Sequence, residues 1–493
     1  MGGKDDGHVE GHPFRVPMPR ASGGDWADPA GIAQHGGVPT SMMPLSRRLT
    51  GAALAALALG SAWLALRPEP APPARPAPAP VALWSPGRVP ALLAETSGTV
   101  ALEGAVDGLL GGLSACLVVY EGDRPVLVRR PEVPLTPAST QKVLTAAAAL
   151  SVLGPDFRFE TRVVTEEPPR DGVVGPLWLV GSGDPHLATP EYATFLAESP
   201  RNLGHLVTPL AALADDLVTA GVRTVTGGIR GDDSHYDRTR LVPTWKPNYL
   251  TDNEVGPLGA LVVDSGFSVF KYPEVRADDP AAHAAGELAA LLTARGVSVP
   301  DQAEAGVAPE GAVTLATIRS APFSEVVAAM VRESDNTAAE LIAREVGRRK
   351  AGEGSTAAGA AAVVAELAAL GLPVSGVRLG DGSGLEATNT VTCGLLATAV
   401  RNVKGLRATL PVAGRSGTLA RRLVDTPLEG KLVAKTGTLK GVTGLTGFLD
   451  GRRQLSFALL AAGGFSDADG RVLGDRVVAV MADYPGPQPG SDD

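Results

Sequence analysis

Two cysteines in 493 residues exclude a disulfide-dense scaffold and a four-cysteine zinc site. Histidine is as scarce. There are seven, three of them before residue 36, and no HExxH, so little remains for a histidine-rich metal centre. Positive charge is in deficit: 44 Lys and Arg stand against 53 Asp and Glu, a net charge of −9, which argues against a nucleic-acid binder. Only nine of the basic residues are lysine, so a lysine inside a motif carries more information here than usual. What is present suits a globular protein with a substantial core: 44% hydrophobic and 20% charged residues. The length allows two to four domains at roughly 100–200 residues each.

Residues 49–66 (LTGAALAALALGSAWLAL) carry no charge, with Arg47 and Arg48 before them and Arg67 after. As a helix they would reach about 27 Å at 1.5 Å per residue, near the thickness of a bilayer core. The paired arginines predict a cytoplasmic N-terminal side, with the bulk of the chain outside. Two readings stand: a retained transmembrane anchor, or a signal h-region cleaved near Gly60-Ser61-Ala62. A start at Met42 or Met43 would give an ordinary signal n-region. Residues 1–48 are Gly-rich, polar and without apolar periodicity, and are expected to be a disordered cytoplasmic tail. Residues 67–88 form a Pro/Ala-rich linker. Its first part, 67–80, holds seven prolines, a polyproline II spacer of roughly 40 Å at 3.1 Å per residue.

The globular part opens with a buried strand at 113–120 and a second at 126–130 after the turn Glu121-Gly122-Asp123. Thr136-Pro137 is expected to start a helix, Thr as N-cap and Pro at the first position, that runs to Gly154-Pro155. Residues 323–349 read as two helical stretches around Ser334-Asp335-Asn336, followed by an Ala-rich helix at 355–370. Strands are expected at 431–439, 444–450 and 453–462, the last two joined by an Asp450-Gly451 hairpin, with a final helix at 468–483.

Three short motifs fall on these elements. Ser139-Thr140-Gln141-Lys142 is an SxxK in the first turn of a helix, where a backbone N–H is free to face a ligand and the lysine shares the serine's face. A lysine could take the serine proton if desolvation or a neighbouring cation lowers its pKa. Ser334-Asp335-Asn336 is an SxN, a hydroxyl able to relay a proton and an amide able to hold both a lysine and a carbonyl. Lys435-Thr436-Gly437-Thr438 is a KTG on a strand. There Gly437 would let a substrate backbone approach, and the lysine and hydroxyls can recognise a carboxylate. Arg415-Ser416-Gly417-Thr418 lacks the lysine and is given little weight. Each motif alone is weak. Their order, on helix, loop and strand, is that of the penicillin-interacting serine acyltransferases.

The stretches LTPASTQKVLTAAAALSVLGPDFRFET, WLVGSGDPHL, GGIRGDDSHYD, VRESDNTAAELIARE, LGDGSGLEATN and GRSGTLARRL…KLVAKTGTLKGVTGLTGFL resemble the low-molecular-mass class C penicillin-binding proteins, the D-alanyl-D-alanine carboxypeptidase/endopeptidases, over about residues 100–485. Ser139 and Ser334 are 195 positions apart, which fits that family's large insertion. The resemblance implies a mixed α/β (α+β) fold: a serine transpeptidase/β-lactamase-like domain with an antiparallel sheet between helices and a helical subdomain (89–157 and 315–493), and an inserted domain or domains at 158–314. It implies Ser139 as nucleophile, Lys142 as its base, Ser334 as proton relay and Asn336 as the group positioning Lys142 and the substrate amide. Lys435 would stabilise charge, Thr436 and Thr438 would hold the terminal carboxylate beside Gly437, and the backbone N–H groups of Ser139 and Thr438 would form the oxyanion hole. Peptidoglycan peptides are the implied substrates and β-lactams the implied inhibitors. No cofactor or metal is implied, and the cell envelope is the implied location. Carboxypeptidase and endopeptidase action both remain open.

Other residues invite weaker readings. Asp232, Asp233, His235 and Asp237 are expected to form a structural loop rather than a metal site, and Asp184 and His186 a turn. Cys116 and Cys393 could pair outside the cytoplasm, although free buried thiols are the preferred reading. Trp245 is expected to pack within the inserted domain. Val143 and Glu386 depart from the family pattern, and Asp381-Gly382-Ser383-Gly384 is either a site border or a plain structural loop. A β-lactamase and an inactive peptidoglycan-binding scaffold are the rival functions. The first lacks an identifiable deacylating Glu with an Asn three or four residues on. The second is disfavoured by the intact motifs.

Overall fold

The computed structural model describes residues 89–198 and 205–486. The tail, the 49–66 segment and the linker lie outside the described residues. Among those described, no helix is long and apolar enough to cross a membrane.

A five-stranded antiparallel sheet organises the part of the chain that carries the KTG motif. Its order is Leu432–Leu439, Val442–Asp450, Gln454–Ala462, Ser114–Glu121, Arg124–Arg129. The expected hairpin is there, with Asp450 opposite Gln454. The strand at 114–121 reads as a continuous apolar run because both its faces are covered. Cys116 and Val118 point into one core with the helices Lys142–Leu153, Phe323–Glu333 and Cys393–Asn402. Ala115, Leu117 and Val119 alternate to the other face, against the helices Val89–Leu110 and Asp467–Ala482. Ala146 to Ala149 are all fully buried, so the Lys142–Leu153 helix packs closely against its neighbours.

Cys116 and Cys393 form a disulfide, with Cα atoms 6.0 Å apart, which corrects the free-thiol reading. The strand turns Cys116 toward the helical layer, and Cys393 opens the helix packed on that face, so the two meet within one core. Sequence spacing says nothing of such proximity across 277 residues.

A second five-stranded sheet comes from the chain between the SxxK and SxN motifs. Its order is Ala303–Ala305, Ile229–Asp232, Leu177–Val180, Glu160–Thr165, Val313–Arg319. Its first two pairings are parallel and its last two antiparallel. The strand Val313–Arg319 runs five residues past 314. The helices Ala211–Thr219 and Pro280–Thr293 bury their apolar faces on this sheet, the second capped by Asp279, whose side chain accepts from the N–H groups of Ala281 and Ala282. Phe157, Phe159 and Phe323 cluster edge-to-face where this segment leaves and rejoins the part built on the first sheet.

Candidate active site

The SxxK does not open as the Thr-Pro pattern predicts. Pro137 precedes a 3-10 turn, Ala138–Gln141, and the α-helix begins only at Lys142. Thr136 does not cap it, and its hydroxyl instead donates to the carbonyl of Ala387 (3.3 Å). Ala138 is fully buried with φ at 47°, a left-handed conformation costing on the order of 1–3 kcal/mol in a non-glycine residue. The strained residue immediately precedes Ser139. The turn presents Ser139 to a cleft of about 1070 Å³, and Ser334, Asn336, Thr436 and Thr438 also line that cleft.

Lys142 is completely buried, and its Nζ donates to three acceptors: Ser139 Oγ (3.1 Å), Asn336 Oδ1 (2.5 Å) and the carbonyl of Ser383 (2.7 Å). Burial pulls its pKa down from 10.5 to about 8, against the opposing pull of the Asp381 and Glu340 carboxylates. The three donated bonds are those of the ammonium; with this pKa a minority of molecules carry the neutral amine at neutral pH, and in that form Nζ can accept from the serine hydroxyl 3.1 Å away. Asn336 is fixed from its other end, where Nδ2 donates to the carbonyl of Glu254 (2.6 Å).

Ser334 ends the helix Phe323–Glu333 in the left-handed region (φ 62°), and Asp335 caps the helix Asn336–Ala351. The chain reverses there because one helix stops and the next starts within three residues. Ser334 Oγ is thereby brought to Lys435 Nζ, which donates to it at 2.9 Å and to its neighbour's carbonyl, Thr436 O, at 2.8 Å. Burial and the nearby Lys142 charge both hold the Lys435 pKa well below its ordinary value. Two ammonium groups in one dry site repel, so a charged Lys142 disfavours the charged form of Lys435.

Lys435, Thr436, Gly437 and Thr438 lie on Leu432–Leu439, the edge strand of the sheet. Gly437 has a close neighbour within the protein itself. A Cβ there would stand 2.7 Å from the carbonyl of Pro137 and 3.1 Å from the backbone N of Thr140. The backbone that approaches the strand is the protein's own Pro137–Thr140 turn, which carries Ser139.

Several site residues were missed or underweighted. Thr418, in the discounted RSGT segment, lines the cleft with its hydroxyl 2.9 Å from that of Thr436. Its position just before the KTG strand was the available signal. The Asp381-Gly382-Ser383-Gly384 loop borders the site from beneath. Ser383 supplies a carbonyl to Lys142, and Asp381 accepts from Gln141 Nε2, Gly384 N, Asn389 Nδ2, Glu386 N and Trp245 Nε1. Glu340, wholly buried, accepts from the N–H groups of Gly382 and Ser383. Burial and the Asp381 charge raise its pKa to about 7. Trp245 is buried, yet it bonds to this loop, 136 residues away, and not only within its own segment. Glu386 turns toward Thr388, accepting from its N–H and hydroxyl. In the 232–237 loop, Asp232 accepts from the N–H groups of Ser234 and Ala308, Asp233 pairs with Arg240, His235 meets Glu345 and Asp237 meets Arg344.

A profile of the D-Ala-D-Ala carboxypeptidase 3 (S13) family matches residues 105–275 and 270–484. The chain belongs to the S13 family. Among its relatives, a D-alanyl-D-alanine carboxypeptidase of Actinomadura sp. (strain R39) is 30% identical over 79% of this chain and 83% of its own. The carboxypeptidase DacB of Mycolicibacterium smegmatis is 34% identical over 71% and 75%. Among solved structures, penicillin-binding protein 4 of Haemophilus influenzae shares the fold, with a TM-score of 0.65 at 21% identity over 78% of this chain and 99% of its own. The S13 assignment agrees with the resemblance read from the motifs, and the mixed α/β fold is the expected one.

Proposed function

We propose that this S13 protein is a serine-type D-alanyl-D-alanine carboxypeptidase that acts on peptidoglycan stem peptides through an acyl-enzyme on Ser139. The observation that carries the reading is the hydrogen-bonded chain in one cleft, Ser139 to Lys142 to Asn336, with Ser334 to Lys435 beside it. The activity named for the S13 relatives supports the same reading. Neutral Lys142 takes the Ser139 proton as Oγ attacks the carbonyl carbon of the penultimate D-alanine. Backbone N–H groups of Ser139 and Thr438 receive the developing oxyanion, each such donor being worth about 3–4 kcal/mol. The C–N bond then breaks as the departing D-alanine amine takes a proton through the Ser334 hydroxyl, which is replenished by the proton that Lys142 removed from Ser139, while Lys435 stabilises the developing charge. Thr436 and Thr438 hold the terminal carboxylate. Water then attacks the acyl carbon and frees the shortened peptide.

β-Lactams would acylate the same serine; a β-lactam complex is known for the H. influenzae protein of the same fold. The buried disulfide supports an extracytoplasmic location. Residues 49–66 would tether the enzyme or be removed on export. Residues 89–157 and 315–493 would form the catalytic domain and 158–314 the inserted one, with the second boundary moved to about 320, because the strand Val313–Arg319 belongs to the second sheet.

The test is intact mass spectrometry of the protein with benzylpenicillin, followed by release of D-alanine from a D-Ala-D-Ala peptide. A lasting single adduct and D-alanine release, both lost in Ser139→Ala, are expected. Rapid drug hydrolysis without an adduct would replace this reading with a β-lactamase. Neither adduct nor hydrolysis would leave the scaffold reading.

A further inference from the structure

A second concavity, of about 790 Å³, lies away from the Ser139 cleft. One wall is Phe157, Arg158 and Arg162, at the start of the second sheet, and the other is the last turns of the helix Asn336–Ala351, with Arg348 and Arg349. His235 joins them. All four arginines are exposed. In a chain of net charge −9 this concentration of guanidinium groups is local and unusual.

The carboxylates in the groove neutralise it only in part. Glu160 is engaged by Arg319. Asp232 is buried, each of its oxygens accepting a backbone N–H. Glu345 is buried and shared between Arg349 and His235. Among the described residues Arg158, Arg162 and Arg348 have no carboxylate partner. Arg158 donates to the carbonyl of Ser320, and Arg348 Nε stands 3.0 Å from His235 Nε2. That imidazole nitrogen also meets Glu345 at 2.9 Å, and it cannot accept from Arg348 while donating to Glu345. The basic last turn of the helix complements its dipole, but that accounts for neither Arg158 nor Arg162, which belong to another element.

We propose that this groove binds a phosphate-rich polymer of the cell envelope. Arginine forks match phosphate oxygens bidentately and are weakly hydrated, so they suit such a chain better than lysine would. Phe157 is already covered by Arg349, whose guanidinium lies 5.1 Å from the ring centroid, so the exposed charge of the groove, more than its valines, is what a ligand would meet. Glu345 lies nine residues along the helix from Asn336, so the groove is held roughly 14 Å from the SxN turn at 1.5 Å per residue. A polymer seated there would keep the enzyme on the wall without blocking Ser139.

The full chain is titrated with short-chain inorganic polyphosphate over a range of salt, in parallel with orthophosphate, and compared with the Arg162→Ala/Arg348→Ala double variant. Wild type should bind polyphosphate with a steep salt dependence. The variant should bind at least about tenfold more weakly, with a log–log salt slope lower by one to two, since each phosphate contact contributes about 0.7–0.9. Benzylpenicillin acylation should be equal in both, which verifies folding and separates this test from the Ser139 chemistry. Equal polyphosphate affinity in the two proteins, or none in wild type, would overturn the proposal. So would orthophosphate binding as tight as polyphosphate, which would mark a small-anion site.

Discussion

At the scale of single residues, the chemistry turns on how little water reaches Lys142. A lysine on a surface helix would stay charged at neutral pH and could accept nothing. Here burial brings its pKa to about 8, and the neutral form is the one that can remove the Ser139 proton. The sign follows: the acylation rate should rise with pH, about tenfold per unit below 8, and level off above it. Stopped-flow acylation by benzylpenicillin across this range measures the limb directly, and a rate indifferent to pH would remove Lys142 as the base. Gly437 makes a second residue-scale case. Its contacts predict that Gly437→Ala pushes the Pro137–Thr140 turn off the strand, since neither backbone can yield cheaply. A displacement of about 1 Å at a nucleophile costs on the order of a hundredfold. The variant should therefore fold normally by circular dichroism while losing about that factor in acylation rate. The motif residues themselves were legible in the sequence because their chemistry demands particular atoms. The purpose of Gly437 was not, because a glycine records only that something comes close, not what.

Elements were legible where one local rule governs them. The three C-terminal strands and the Asp450-Gly451 hairpin lie within two residues of expectation, as do the two helices flanking Ser334. The start of the SxxK helix was misread because Thr136-Pro137 satisfies the capping rule locally. Tertiary contacts override it: the Ala387 carbonyl takes the Thr136 hydroxyl, and the strand holds the turn. The Cys116–Cys393 bond belongs to this scale as well, since it ties a central strand to the helix packed over it. Closing 277 residues restricts the unfolded chain heavily, and loss of a native disulfide typically costs about 2–5 kcal/mol. The Cys116→Ala/Cys393→Ala double variant should unfold at lower urea by a corresponding amount while acylating at the wild-type rate at 25 °C. A variant as stable as wild type would show that packing alone holds the helix.

At the scale of the molecule, the inserted segment is part of the active-site wall rather than an appendage. The Glu254 carbonyl fixes Asn336, Gly256 N–H donates to Thr337, and Trp245 reaches Asp381, whose loop presents Ser383 to Lys142. The sequence could place an insertion between two motifs, but not fold it back onto them, because these contacts join residues 81 to 136 positions apart without a shared pattern. Trp245→Phe tests the coupling while keeping an aromatic ring, though the smaller ring leaves a gap that adds to any stability loss. It removes one donor from a buried carboxylate, a loss worth about 1–3 kcal/mol. Asp381 keeps its other donors, so the loop should loosen rather than collapse. The expected result is a stability loss of at least that size together with slower acylation, since a less constrained Ser383 carbonyl holds Lys142 less well against Ser139. Rescue of the acylation rate by Trp245→His, which restores a ring N–H, would assign the effect to the hydrogen bond. If Trp245→Phe loses stability but acylates at the wild-type rate, the insertion braces the fold without tuning the site.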